Sequence, residues 1–192
     1  MVRMGEFAVS SAGGDGLVSL GLGSCIGLVL LDRRAAVAGL AHVVLPALEG
    51  RDPATPGKFA DTAVDALLGA MEPLGARRPF LEAVLVGGAS MFSGASAGLD
   101  VGQRNDAAVR QELARVRIPV AAAETGGSKG RTLRVAVDSG RVTARAAGAP
   151  ELELYAGWRP KVAISIMTTS YSQPAPRAII SGWKTCGRMR YR

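Results

Sequence analysis

The stretch 19–46, SLGLGSCIGLVLLDRRAAVAGLAHVVLP, predicts the centre of the fold and contains the candidate functional residues Ser19, Cys25 and His42. It holds two apolar runs, Ile26 to Leu31 and Val37 to Leu45. A polar segment that begins at Asp32 separates them. Two apolar runs around a polar turn predict an antiparallel β-hairpin.

The length of the hairpin loop decides whether Cys25 and His42 can meet. If Arg33 and Arg34 alone form the loop, Cys25 lies directly opposite His42, with Cβ atoms about 4.5–5.5 Å apart. A four-residue loop, 33–36, shifts the pairing by two residues and leaves the two side chains as diagonal neighbours on one face. A three-residue loop places them on opposite faces, because side chains alternate along a strand. The sequence leaves these registers open.

The chemistry of Cys25 depends on a neighbouring base. An unassisted thiol, with a pKa of about 8.5, is mostly protonated at neutral pH, and an imidazole can remove its proton. His42 is the only histidine in the chain. Ser19 is a candidate to orient that imidazole, as the third member of a triad. Taken singly, a free cysteine is more often a small buried apolar residue, and a lone strand histidine is more often structural.

The glycines around Cys25 resemble a loose nucleotide-binding pattern, Gly21-x-Gly23-x-x-x-Gly27. That pattern needs a helix to follow, and here a short strand follows, so we reject nucleotide binding. We interpret the glycines as positions where backbone approaches a bound group near Cys25. Backbone N–H groups in such a place can stabilise an oxyanion.

Composition divides the chain near residue 144. The net charge of +7 is uneven: residues 1–143 carry 15 basic and 14 acidic side chains, and residues 144–192 carry 8 and 2. Both Trp and all three Tyr also lie after residue 143. We therefore expect a domain over 1–143 and a basic C-terminal extension over 144–192 that catalysis does not need. The chain has no apolar run of 18 residues and no signal-peptide pattern, and its two cysteines make no disulfide framework, so we expect a cytoplasmic protein without membrane insertion.

The remaining pattern predicts a mixed α/β chain with more hairpins than βαβ units. The clearest helix spans 58–74, and a second helix is expected to be capped by Asn105 or Asp106 and to end near Val116. Arg104 and Asn105 are alternatively candidates to bind a substrate amide or carboxylate. The predicted strands are 6–10, 16–20, the two hairpin strands, 80–86, 118–124, 132–137 and 141–145.

Several motifs, in order, resemble the CheD family of chemoreceptor glutamine deamidases. They are Leu20-Gly-Leu-Gly-Ser-Cys25, Ala41-His-Val-Val-Leu-Pro46, Lys58-Phe-Ala-Asp61, Gly87-Gly-Ala-Ser-Met-Phe92, Val101-Gly-Gln-Arg-Asn105 and Gly126-Gly-Ser-Lys-Gly-Arg131. The resemblance covers about residues 5–143. It implies a layered α/β sandwich of mixed, hairpin-rich sheet, similar to the cytotoxic-necrotizing-factor deamidases.

The resemblance also implies roles and partners. Cys25 would attack a receptor glutamine, His42 would move the protons, and Ser19 stands where the family has a threonine. The family acts on cytoplasmic helices of methyl-accepting chemoreceptors, includes action on methyl esters, and includes a complex with the phosphatase CheC. We expect neither a metal nor another cofactor.

Two other functional classes are alternatives to a glutamine deamidase. A non-catalytic CheD-like docking module would bind receptors or a CheC-like partner, although the intact Cys25 and His42 argue against it. A basic nucleic-acid binder would explain the charged extension, but no recognition motif supports it, and we expect no nucleic acid partner.

Overall fold

The computed structural model describes residues 1–50, 55–90 and 101–158. Two α-helices and nine β-strands are described there. In chain order they are β1 (Phe7–Ser10), β2 (Gly16–Leu22), β3 (Ile26–Asp32), β4 (Val37–Val43), α1 (Ala60–Met71), β5 (Leu81–Gly87), α2 (Val101–Arg115), β6 (Val120–Thr125), β7 (Arg131–Ala136), β8 (Arg141–Ala146) and β9 (Glu151–Tyr155).

The strands form two sheets. The first has the order β1-β4-β3-β5-β6 and is antiparallel except for the parallel pair β5 and β6. The second has the order β2-β7-β8-β9 and is antiparallel throughout. This is the mixed, hairpin-rich α/β arrangement that the sequence predicts.

Strand β3 shows how the layers are stacked. Its residues Ile26, Leu28 and Leu30 pack with the helices α1 and α2, whereas Val29 and Leu31 pack with the second sheet. Every residue of β3 and β4 is buried, because the first sheet is covered on both faces. That double covering is why the two strands read as apolar runs without alternation.

The hairpin between β3 and β4 has a four-residue loop, since Asp32 pairs with Val37. The two-residue loop with Cys25 directly opposite His42 is wrong, and the diagonal register is confirmed. Asp32 closes the loop: its buried carboxylate accepts hydrogen bonds from the N–H groups of Arg34 (2.8 Å) and Ala35 (2.9 Å). Ala36 completes the turn in the left-handed region, at φ 56°.

Most predicted elements are confirmed within a few residues, and α2 is the largest difference. It begins at Val101 rather than near Asn105, so Asn105 lies inside the helix and is fully buried. It therefore caps nothing. None of the helices in the described residues is long and apolar enough to cross a membrane.

The sheet continues past the change in composition at residue 144. Strand β8 crosses that position, and β9, which the sequence reading did not predict, pairs with β8. Trp158 is also buried, and its indole Nε1 donates to the carbonyl of Asp138 at 3.2 Å. The predicted division into 1–143 and 144–192 thus coincides with no break in the sheet. Met91, Phe92 and Cys186 lie outside the described residues.

Candidate active site

Cys25 lies immediately before β3, in a loop that is hydrogen-bonded to the end of β5. Its carbonyl accepts the N–H of Gly88 at 2.9 Å, and the carbonyl of Gly23 accepts the N–H of Ala89 at 2.7 Å. Its partly buried side chain packs against the apolar core between the two sheets. The backbone of the proposed nucleophile is thus held by the neighbouring loop.

His42 lies on β4 and faces the second sheet. It pairs with Gly27, two residues after Cys25, and its side chain is almost completely buried. The N-terminal segment holds its backbone, because His42 N–H donates to Glu6 and Gly5 N–H donates to His42, both at 3.0 Å. The register therefore places Cys25 and His42 on one face of the first sheet.

Gly27 allows the second sheet to approach this face closely. A Cβ at position 27 would lie 2.5 Å from Leu133 Cδ2 and 2.8 Å from Leu22 Cδ1. Leu133 is the β7 partner of Ser19 on β2. The missing side chain at Gly27 thus lets β2 and β7 settle against the strand pair that carries His42.

Ser19 meets His42 across this contact, with 2.9 Å between Ser19 Oγ and His42 Nδ1. The hydroxyl of Ser19 also donates to the carbonyl of Val2 at 3.1 Å. A hydroxyl has one proton, and a carbonyl can only accept, so Ser19 Oγ must accept from Nδ1–H. This network assigns the Nδ1–H tautomer to neutral His42 and leaves Nε2 as an unprotonated acceptor.

Nothing in the described residues occupies that acceptor. His42 Nε2 is buried and has no hydrogen-bond partner among residues 1–50, 55–90 and 101–158. A buried nitrogen lone pair without a partner costs free energy, and such groups concentrate at functional sites. The arrangement can accept a proton from a thiol or a water that approaches Nε2.

Both pKa values favour neutral forms in the resting site. Burial raises the pKa of the Cys25 thiol, and its own backbone N–H opposes that shift in part. Burial lowers the pKa of His42, and the nearby backbone carbonyl of Val2 opposes that shift in part. Both shifts favour a thiol and a neutral imidazole over an ion pair, and the neutral imidazole is the form that can act as a base.

Comparison with known proteins identifies the family. A family model described as CheD chemotactic sensory transduction matches residues 44–146. A Methanococcus vannielii protein named probable chemoreceptor glutamine deamidase CheD is 42% identical over 144 residues, which cover 75% of this chain and 92% of that protein. The chain belongs to the CheD family. A Halalkalibacterium halodurans member named chemoreceptor glutamine deamidase CheD is 44% identical over 138 residues, 70% of this chain and 85% of its own length.

The segment that matches the CheD family model begins at Val44. Ser19, Cys25 and His42 all precede it, so their roles depend on the geometry and on the motifs rather than on that match. The family model does cover the loops beside Cys25 that the structure describes after β5 and β6.

Three loops of this CheD family member are hydrogen-bonded in series, from the loop that carries Cys25 to the loop after β6. The loop 87–90 is hydrogen-bonded to the loop that carries Cys25, and Ser90 N–H donates to the carbonyl of Gly127 at 2.7 Å. The guanidinium of Arg131 holds the third loop from inside, because it donates to the carbonyl of Gly126 at 2.8 Å and to the Glu124 carboxylate at 3.1 Å. The motif at 126–131 thus supports the loop 87–90, which is itself bonded to the loop that carries Cys25.

Sequence reasoning missed two groups in this site. The carbonyl of Val2 accepts from Ser19, and a backbone group leaves no sequence signal. The sequence predicts Asn105 as a helix cap or a substrate ligand, whereas its amide donates to backbone carbonyls on both sides of the site. Within the described residues, no three His, Cys, Asp or Glu side chains are grouped to hold a metal ion.

Proposed function

We propose that this chain is a chemoreceptor glutamine deamidase in which Cys25 is the nucleophile, His42 is the general base and acid, and Ser19 orients the imidazole. Membership of the CheD family supports the reaction, because the two relatives above are named for it. The observation that carries the assignment of residues is the hydrogen bond between Ser19 and His42 Nδ1, which leaves Nε2 unprotonated.

The reaction follows from that tautomer. Sγ of Cys25 attacks the carboxamide carbon of a glutamine while its proton moves to Nε2 of His42. The tetrahedral intermediate collapses, the C–N bond breaks, and Nε2–H protonates the departing nitrogen, so ammonia leaves and a thioester remains. Water then attacks the thioester, His42 accepts its proton and returns it to the leaving sulfur, and the products are a glutamate side chain and the free thiol.

The buried hydroxyl matters because the imidazole must become positively charged during each transfer. Imidazolium retains the Nδ1–H bond to Ser19 Oγ, and the hydroxyl remains bonded to the carbonyl of Val2. This chain of acceptors stabilises the charge on the buried imidazole. Serine has the same hydroxyl as the threonine that the family carries at this position, so Ser19 can fill the same role.

The substrates and partners follow from the family and complete the proposal. The glutamines would lie on the cytoplasmic helices of methyl-accepting chemoreceptors, the protein would act in the cytoplasm, and a CheC-like phosphatase would be a regulatory partner. A fold shared with the cytotoxic-necrotizing-factor deamidases stays a prediction. The domain ends either at residue 143, where composition changes, or after Pro160, which keeps β9 and Trp158.

Mass spectrometry of candidate receptors tests this proposal. Receptors incubated with the full chain should show conversion of Gln to Glu at defined sites with release of ammonia. The same incubation with Cys25→Ala should show none. Conversion that persists in the Cys25→Ala chain would contradict the mechanism, and a full chain that binds receptors without converting any glutamine would favour the docking module.

A further inference from the structure

Asn105 joins the two halves of the site through backbone contacts. Its side chain is completely buried in α2. Nδ2 donates to the carbonyl of Ser24 at 2.9 Å and to the carbonyl of Val44, also at 2.9 Å. Ser24 immediately precedes Cys25, and Val44 follows His42 by two residues. One amide group therefore bridges the segment that carries the thiol and the segment that carries the imidazole.

Only a group with two N–H donors can make this bridge. Both partners are carbonyl oxygens, so each must accept, and the NH₂ of an amide supplies one hydrogen to each. A carboxylate of the same shape has no donor and would be repelled by both oxygens. Oδ1 of Asn105 is buried and accepts no hydrogen bond from the described residues. Among those residues, the side chain of Asn105 therefore forms hydrogen bonds only through Nδ2.

Helix α2 is seated closely enough to hold the bridge in place. A Cβ at Gly102 would lie 2.4 Å from the carbonyl oxygen of Gly88, so only glycine permits this approach. Gly88 in turn donates its N–H to the carbonyl of Cys25. The helix therefore packs on the loop that holds the nucleophile, and Asn105 lies one turn further along.

The bridge links the loop that carries Cys25 to the end of β4, a link that strand pairing does not provide. The ladder between β3 and β4 ends at Ile26 and Val43, so Cys25 lies beyond the last paired residue. Its backbone bond to Gly88 ties it toward β5, on the opposite side of β3 from His42. Asn105 ties the same loop to the end of β4.

We propose that Asn105 is a positioning residue for deamidation, which sets the thiol of Cys25 relative to the imidazole of His42 by bonding the carbonyls of Ser24 and Val44. This inference rests on the proposed function, since it assigns a role within the same site. Asn105 touches no reacting atom, and its effect passes through the two backbone segments. A displacement of about 1 Å between reacting groups can reduce a rate about a hundredfold.

The test compares two variants at Asn105 with a matched control. Asn105→Asp keeps the shape and removes both donors, and Asn105→Ala removes the side chain. The control is Asp32→Asn, because Asp32 is an equally buried polar residue that holds backbone N–H groups at the opposite end of β3. The thermal unfolding midpoint of each chain reports the structural cost of its substitution.

Two functional readouts separate positioning from folding. The first is kcat and KM for deamidation of a receptor fragment. The second is the pH dependence of Cys25 alkylation by iodoacetamide, followed on the Cys25 peptide so that Cys186 does not contribute. Both Asn105 variants should lower kcat about tenfold to a hundredfold, leave KM within about threefold, and give the alkylation profile of His42→Ala. Asp32→Asn should lower the unfolding midpoint and leave both readouts unchanged.

Three outcomes would overturn the inference. The first is a folded Asn105 variant with the alkylation profile and kcat of the full chain. The second is a loss of kcat in the Asp32→Asn chain as large as in the Asn105 variants, in proportion to the fall in the unfolding midpoint. The third is failure of both Asn105 variants to fold while Asp32→Asn folds, which would make Asn105 a residue of the fold and not of the site. If the Cys25→Ala chain were active, the proposed function would be overturned. If the Cys25→Ala chain were inactive and the Asn105→Ala chain had normal activity, only the inference about Asn105 would be overturned.

Discussion

Ser19 Oγ lies 2.9 Å from Nδ1 of His42, although the two residues belong to different sheets. The contact fixes which nitrogen of the imidazole carries the proton. It also depends on the long-range pairing of β2 with β7, which seats Ser19 beside Leu133. The second sheet thereby contributes directly to the candidate site on the first.

The first prediction concerns Cys25 and His42. Cys25→Ala should abolish conversion of glutamine to glutamate, and His42→Ala should lower kcat/KM at least about a hundredfold, because proton transfer by a positioned base contributes that much. Both chains should keep the circular dichroism spectrum of the full chain. Cys186→Ala is the matched control and should retain full activity. If ammonia release depends on Cys186 instead, the nucleophile has been assigned to the wrong cysteine.

The second prediction concerns the hydroxyl of Ser19. Ser19→Ala removes the acceptor of Nδ1–H and should lower kcat/KM about fivefold to tenfold, in line with about 1 kcal/mol for one buried hydrogen bond. Ser19→Thr keeps the hydroxyl and should retain or improve the rate. Steady-state kinetics on one receptor fragment compare the two. An unchanged rate in Ser19→Ala would mean that other contacts orient the imidazole.

The third prediction is the position of the acid limb of activity. Only neutral His42 has an unprotonated Nε2, so kcat/KM falls as the pH drops through the pKa of His42 in the folded chain. Burial lowers that pKa from its ordinary value of 6.5. The midpoint of the acid limb should therefore lie below pH 6.5. Burial also raises the pKa of the Cys25 thiol, so the thiol stays protonated at pH values where an exposed cysteine would already ionise.

A pH profile of kcat/KM, with unfolding followed at each pH, checks this prediction. A midpoint above pH 6.5 would show that the resting site is a thiolate–imidazolium pair, in which the charged sulfur raises the pKa of His42. Ser19→Ala should leave the midpoint below 6.5, because burial remains the dominant cause.

The hairpin at the centre of the first sheet could be predicted because its residues are apolar on both faces and flank a polar turn. The register could not be chosen from those runs alone. It follows from Asp32, whose carboxylate accepts two loop N–H groups and so closes a four-residue turn. An acidic residue at the start of a short loop is a signal that the sequence did contain.

Other parts of the site depend on contacts that local patterns do not encode. The bond between Ser19 and His42 requires β2 to pair with a strand more than a hundred residues away. Asn105 is predicted to cap a helix because asparagine favours helix starts, but α2 begins four residues earlier. Its amide instead donates to the carbonyl of Ser24, which is distant in sequence. Strand β9 has the alternating sequence Glu-Leu-Glu-Leu-Tyr, which is itself a strand signal, although the change in composition near residue 144 favours an extension there.

The last prediction concerns where the domain ends. A chain that stops after Thr143 loses half of β8 and all of β9, and it leaves β7 at an open sheet edge. It also loses the hydrogen bond from the Tyr155 hydroxyl to Glu82, which ties β9 to the first sheet. Since β7 carries the partner of Ser19, we expect this chain to have a lower unfolding midpoint and little deamidase activity.

A chain that stops after Pro160 is the matched comparison, because it keeps β9 and the buried Trp158. It should retain the kcat/KM of the full chain. Within the full chain, Trp158→Ala should cost about 3 kcal/mol of the free energy of unfolding, as expected for a large aromatic side chain in a core. Urea unfolding and the receptor assay measure both effects. If the chain ending after Thr143 is as stable and active as the one ending after Pro160, then β8 and β9 are dispensable, and the boundary that composition predicts near residue 144 is the functional one.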